Sequence, residues 1–540
     1  MTSFGCKRFH LKSSKLILSL LDNHQCLTIP HLKQIHSHLI ISGMLSDAFA
    51  SGKLVSALAN HPTHLSYAYN LLVHSPNRSN YMWNSLIKFL TDNNQPIKAI
   101  SLYKNMLAYG SIPNNYTLSF VIRASNYLCD LPLGLMLHAQ SIKLGWESYD
   151  FVRNGLIHLY GICDVVDLSR KLFDVSESKD VVTWTAVING YVKVGRIVDA
   201  RELFDKMPER NVVSWSAMIT GYAQMGLFNE ALELFNELQT SGFQPNHSSL
   251  VGALLACASL GALNQGRWIH AYVDRYKMKL DVKLGTALVD MYAKCGCIKM
   301  ANRVFEDMPS KDVFAFTCLI SALSNHGQSE QAIKLFRRMQ GEGVNPNRVT
   351  FVCVLAACSR MGLVDDGLEI FESMKQWYGI EPGVEHYGCL IDLLARSGML
   401  QEAEELVTKM SIEPDSYVLG ALLNACRDLQ NVKMGEGIVK KLKEQGLDYS
   451  GVHTLLSNIY ASVNKWDRVM QVRERMQEKK VGKVPGCSSI EVDGIVSEFG
   501  AGRSCHTQMD DLMLSLIRVD KHLRSLPDNN ILLDPEIIVP

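Results

Sequence analysis

Neither sign of charge dominates this chain: 54 basic and 54 acidic side chains leave a formal net charge of zero. That balance excludes nucleic-acid binding driven by bulk positive charge and leaves only local basic stripes or the reading of bases. No apolar run approaches the roughly 18 residues needed to span a bilayer, so no membrane association is expected. The 14 cysteines form no disulfide framework. Cys257, Cys358 and Cys426 follow alanine in recurring contexts where a small apolar residue suits helix packing, a usage that implies a reducing compartment. None of the 17 histidines is followed two places later by Glu, and no two cysteines are spaced Cys-x-x-Cys; the nearest are Cys295/Cys297 and Cys353/Cys358. A zinc-activated hydroxide therefore has no ligand pattern. His270, His326 and His386 have no partner at metal or triad spacing and read as structural. No Gly-rich phosphate loop follows a strand-like run, and neither a catalytic centre, a metal nor a cofactor is expected.

What the chain has instead is repetition. Trp184 opens WTAVINGYVKVGRIVDARELFDKM and Trp215, 31 residues on, opens WSAMITGYAQMGLFNEALELFNEL. Trp83 and Trp184 are 101 residues apart, as are Trp215 and Phe316. A fixed period of 31 to 36 residues predicts stacked helical hairpins rather than one compact core. Function is then to be sought on a surface shared by many repeats.

In Val212–Asn246, Trp215, Met218, Ile219 and Tyr222 recur at helical spacing and form one apolar face. Gly226 breaks that helix, Asn229 is expected to cap the next, and Ala231, Leu234, Phe235 and Leu238 form a second face before Ser241-Gly242 and Pro245. Neither helix can bury its face alone, so the tryptophans read as core. Three kinds of repeat alternate. Asp150–Asp180, Val181–Asn211 and Val282–Asp312 are short; Asn80–Asn114, Val212–Asn246 and Val313–Asn347 are longer and end in Pro-Asn. Asn115–Tyr149, His247–Asp281 and Arg348–Gly383 form a third kind, two of them with an apolar fifth residue, Val251 or Val352. Weaker copies cover Lys12–Asp47 and Ala48–Ser79, and a last one Val384–Asp415, making twelve repeats over 12–415.

This alternation resembles the PLS class of plant pentatricopeptide repeat proteins, through ALVDMYAKCG at Ala287–Gly296, ARELFDKMPERN at Ala200–Asn211 and FVCVLAACSRMGLVDDGLEIFESM at Phe351–Met374. Ser416–Tyr449 and Ser450–Lys483 resemble the family's two E motifs, above all in HTLLSNIYASVNKWDRVMQVRERM at His453–Met476. Val484 to Leu526 resembles the E-plus segment, with Ser489 and Ser497 where the family usually has Trp and His; 527–540 is read as a tail. No DYW deaminase sequence follows. The resemblance implies an all-α, right-handed superhelical solenoid of antiparallel helix-turn-helix repeats.

The resemblance also implies RNA reading by the fifth and last residues of each repeat. Carried over, Asn84 with Asn114 resembles a pyrimidine reader and Asn154 with Asp180 a U reader. Thr185 with Asn211, Ser216 with Asn246 and Thr317 with Asn347 resemble A readers, and Thr286 with Asp312 a G reader. Gly388 with Asp415 departs from the pattern and is left unassigned. Singly, any such Asn or Asp also reads as a helix or turn cap; neither Thr286 nor Asp312 is expected to hold the fold. The implied role is a non-catalytic, sequence-specific adaptor on single-stranded organellar RNA for C-to-U editing, recruiting a DYW-type deaminase and multiple organellar editing factors in trans. The alternatives are a splicing, stability or translation factor, or a protein-interaction scaffold. Residues 1–11, basic and serine-containing with no acid before Asp22, read as an organellar targeting segment, mitochondrial with chloroplast as the alternative, or else as the lead into an ordinary first helix.

Overall fold

The computed structural model describes residues 21, 28–59, 64–177, 179–410, 412–444, 446, 450–478, 487–492 and 495–500, with 514, 515, 517 and 518. The targeting segment at 1–11 and the tail at 527–540 lie outside these residues, as does most of 484–526. The fold is an all-α solenoid of antiparallel helix pairs, in two compact units, 1–249 and 250–540. Among the described residues no helix is long and apolar enough to cross a membrane.

In the first unit the helices Asn80–Asp92, Asn115–Leu128, Asp150–Ile162, Val181–Lys193 and Val212–Gln224 pack one against the next. Each is followed by an antiparallel partner, for instance Ile197–Lys206 or Phe228–Thr240. In the second unit the same succession runs through Val282–Lys294, Val313–Asn325, Arg348–Met361, Val384–Arg396, Ser416–Asp428 and Ser450–Ser462. The turn inside Val212–Asn246 forms where expected: Gly226 takes a left-handed φ of 77°, which a side chain would strain. The expected cap does not form. The second helix starts at Phe228 with Leu227 at the cap position, so Asn229 lies two residues too far in to cap. One element was not foreseen: Cys487–Val492 and Ile495–Gly500 form an antiparallel hairpin with Ser489 opposite Glu498 and Ile490 opposite Ser497.

A recurrent joint ties several repeats to the one before. In five first helices the fourth residue is aromatic, and its ring meets, nearly edge to face, a phenylalanine from the second helix of the preceding repeat. Phe173 and Trp184 lie 4.7 Å apart at 75°, Phe204 and Trp215 4.8 Å at 76°, Phe305 and Phe316 5.0 Å at 78°. Phe336–Phe351 and Phe371–Tyr387 repeat the arrangement. The second-last residue of the intervening turn covers several of these joints: Lys179 sits over Phe173, Arg210 over Phe204 and Lys311 over Phe305. Trp83 and Trp215 are buried, as core residues should be.

Two first helices also meet backbone to backbone. A Cβ added at Gly190 would lie 2.9 Å from the Cα of Gly161. Neither neighbour is a flexible side-chain end, so the helices would have to part. Gly190→Ala is expected to destabilise the protein by about 1–3 kcal/mol, the usual cost of overpacking, read as a lower urea midpoint of the full-length chain. An unchanged midpoint would show that the two helices can separate without loss.

Candidate nucleic-acid interface

In the six repeats with a polar fifth-and-last pair, the last residue stands immediately before the next first helix and caps it. Asn114 Oδ1 accepts the Thr117 N–H at 3.0 Å, Asp180 Oδ1 that of Thr183 at 2.7 Å, and Asn211 Oδ1 that of Ser214 at 2.8 Å. Asn246, Asp312 and Asn347 do the same for Ser249, Ala315 and Thr350 at 2.9 Å. The cap orients the side chain. With Oδ1 turned to the helix, each Asn directs its Nδ2 donor away from it, and each Asp directs a second acceptor oxygen. Asp312 therefore does help hold the fold, against expectation, because Ala315 N–H would otherwise lack that partner. Burial alone would raise the Asp180 carboxyl, but hydrogen bonds from the Thr183 hydroxyl and N–H and from Asn154 outweigh it and hold its pKa below the ordinary value.

Thr185, Ser216 and Thr317 lie one residue beyond an aromatic joint, whereas Asn154 and Thr286 follow Arg153 and Gly285. Asn84, Thr185, Ser216 and Thr317 are largely recessed, whereas Asn154 and Thr286 are half-buried. The structure brings some pairs within hydrogen-bond distance: Asn84 Nδ2 donates to Asn114 Oδ1 at 3.0 Å, Asn154 Nδ2 lies 3.4 Å from Asp180 Oδ1, and Ser216 Oγ lies 2.8 Å from Asn246 Oδ1 and 2.5 Å from the Val212 carbonyl. Thr317 reaches Asn347 only through Thr350 (2.6 Å and 3.0 Å). Thr185 instead donates back to the Val181 carbonyl at 2.7 Å and does not touch Asn211. Thr286 Oγ1 is buried with no hydrogen-bond partner.

Sequence reasoning missed the second place. Tyr81, Tyr116, Phe151, Val182, Val213, Phe314, Val349 and Tyr417 are all between 53 % and 71 % exposed. Residues three apart share a helix face, so each sits beside its fifth-place neighbour. Exposed rings and β-branched side chains flanking polar groups suit flat ligands with hydrogen-bonding edges. In the second unit a cleft of about 700 Å³ holds Thr286, Asp312, Thr317 and Asn347 between Phe314 and Val349. The unassigned fifth place at Gly388 is explained by its neighbour: a Cβ there would meet the Tyr417 ring at 2.6 Å. Gly52 stands to Tyr81 in the same way, at 2.9 Å.

The histidines hold structure. His270 Nδ1 bonds the Tyr292 hydroxyl at 2.9 Å, and His386 accepts Gly383 N–H and donates to the Arg348 carbonyl. Burial lowers the His386 pKa. No group of three metal-binding side chains occurs among the described residues.

Comparison with known proteins identifies the architecture. Models of the pentatricopeptide repeat match 81–111, 179–212, 210–257, 286–313, 311–360, 349–377 and 385–412, and the E motif matches 429–491. A pentatricopeptide repeat-containing protein of Arabidopsis thaliana, described as chloroplastic, is 41% identical over 514 residues, covering 95% of this chain and 93% of its own. The chain belongs to the pentatricopeptide repeat family. Its repeats and E motif make it a PLS-class, E-type member. Another Arabidopsis relative, described as mitochondrial, is 33% identical over 614 residues, covering 94% of this chain and 90% of its own. The crystal structure of the pentatricopeptide repeat protein PPR10 with an 18-nt psaJ RNA element shares the fold, with a TM-score of 0.52 at 15% identity over 87% of this chain and 79% of that one.

The cap formed by the last-place side chain has a measurable worth. Asp312→Ala should cost about 0.5–2 kcal/mol through loss of the cap, whereas Asp312→Asn, which keeps Oδ1, should melt close to the parent. Equal melting of the two variants would mean the cap contributes nothing.

Proposed function

We propose that the chain binds single-stranded RNA, one nucleotide per repeat, and selects a cytidine for C-to-U editing in an organelle, with the E region recruiting a DYW-type deaminase and other editing factors in trans. The observation that carries this is the recurrence, across six repeats, of a polar fifth-and-last pair beside exposed second-place side chains. Bases stack on rings whatever their identity, while their edges are told apart by donors and acceptors. Committed hydroxyl protons support the A assignments: Thr185 and Ser216 donate to Val181 and Val212 carbonyls, so each offers the base an acceptor. Adenine presents an N6 donor to meet it. Thr286, with no partner, can still donate, and Asp312 adds acceptors, which suits guanine. The PPR10 structure is of an RNA complex, and relatives' names include both chloroplast and mitochondrion. We assign the mitochondrion; imaging a fluorescent fusion decides between the organelles.

With the N-terminus toward the RNA 5′ end, the site reads Y-N-U-A-A-N-G-A-N-N, and the edited cytidine follows after three further bases. Thr286→Asn, with Asp312 kept, is expected to move the preference facing that repeat from G to U. The cost on the original RNA is about 1–3 kcal/mol, a typical single mismatch, measured by binding to four oligonucleotides differing at that base. Identical binding by variant and parent would remove Thr286 from the reading. In a knockout plant, loss of editing at one cytidine with normal splicing supports the editing role; the reverse outcome assigns the protein to splicing.

A further inference from the structure

Each reading pair has a third, hidden neighbour: the third residue of the following repeat, one turn into its first helix. Thr117, Thr183, Ser214, Ser249, Ala315 and Thr350 occupy this place and are almost completely buried, at 0–2 % exposure. None can touch an RNA. Their hydroxyls nevertheless reach the residues that could. Thr117 Oγ1 lies 2.7 Å from Asn84 Oδ1 and 2.9 Å from Asn114 Oδ1, while accepting Asn114 N–H at 3.2 Å. Its proton holds the carbonyl end of Asn84, and Asn114 Oδ1 holds one amide hydrogen, so Asn84 has only its second N–H to give. Thr183 stands likewise between Asn154 and Asp180, at 2.7 Å and 2.6 Å. Thr350 takes the Thr317 hydroxyl and passes the bond to Asn347.

Where the residue changes, the network changes. Ser214 and Ser249 turn to the carbonyls of Asn211 and Asn246, and Thr185 and Ser216 satisfy themselves on their own helix. Ala315 has no hydroxyl, and there Thr286 Oγ1 is the fifth-place hydroxyl left without a partner. The resemblance that suggests the reading places supplies no role for this residue.

We infer that the buried third-place side chain of the following repeat is a positioning residue: by committing or freeing the hydrogen bonds of the fifth-place side chain, it sets whether that side chain offers the base a donor or an acceptor. This rests on the base-reading proposed above. Specificity would then depend on three residues per repeat, the third reaching the base only through the other two.

The test uses the full chain and synthetic RNAs of the sequence Y-N-U-A-A-N-G-A-N-N followed by three bases and C. Two sets place each of the four bases opposite Asn84/Asn114 and opposite Thr286/Asp312. Thr117→Val keeps the shape and the backbone N–H but loses the hydroxyl. It should cut base discrimination opposite Asn84 by about two- to tenfold, the worth of one hydrogen bond, with discrimination opposite Thr286 unchanged. Thr117→Ser should restore most of it. Ala315→Thr, at a place where Thr fits in three other repeats, should engage Thr286 and change the G-to-A ratio opposite that repeat by a similar factor. That variant keeps the inference testable if Thr117→Val does not fold. A purely packing role would lower affinity for all RNAs alike and melting with it, leaving the ratios fixed, and would overturn the inference. So would unchanged ratios in both Thr117→Val and Ala315→Thr. A parent protein with no base preference at either place overturns the base-reading itself, a result distinguishable from these.

Discussion

The edge-to-face contact between a phenylalanine of one repeat and the fourth-place ring of the next recurs at five junctions and anchors the stack around them. A solenoid repeat touches only its neighbours, so its stability is a sum of such contacts, each aromatic pair adding about 0.5–1.5 kcal/mol beyond the area it buries. The joint also sets position. Trp184, Trp215 and Phe316 are pinned by Phe173, Phe204 and Phe305, and the adjacent Thr185, Ser216 and Thr317 are held by the same helical turn. These three fifth-place side chains are thus placed by the core, one residue away, rather than by a flexible loop.

The last-place residue solves a different problem. A buried helix start needs acceptors for its orphan N–H groups, and an Asn or Asp in extended backbone supplies one. Once Oδ1 is used, the remaining atom faces outward with its character settled: N–H for Asn114 or Asn347, carboxylate oxygen for Asp180 or Asp312. Under the proposed reading, cap and reader are the two ends of one side chain, so the cap seen at these positions does not compete with a base-reading role.

Much of the fold was legible because period and apolar spacing are local properties of the chain. Gly226 ended its helix as read, and Trp83 and Trp215 proved to be core. Asn229 misled because a polar residue before an apolar face looks like a cap, yet the helix begins at Phe228. The second-place side chains were missed for a related reason. Periodicity marks Tyr81 or Val182 as apolar but cannot say which apolar positions stay uncovered once neighbours stack. The fifth and last places came from family resemblance. The hydroxyls of Thr117 and Thr350 were not legible at all, because their partners lie some thirty residues away, across a repeat boundary. The hairpin at 487–500 gave only short, mixed alternation amid an otherwise helical chain.

The proposed sharing of one side chain between helix cap and base reader has an evolutionary consequence. Asparagine and aspartate codons differ by a single purine transition, and both side chains keep the Oδ1 that the helix start requires. A repeat can therefore exchange a donor for an acceptor in one mutational step while its cap stays in place. On that reading, drift among RNA targets can proceed along a path of folded intermediates, whereas a residue without a capping side-chain oxygen at Asn114, Asp180 or Asp312 would leave the helix start behind it unclosed.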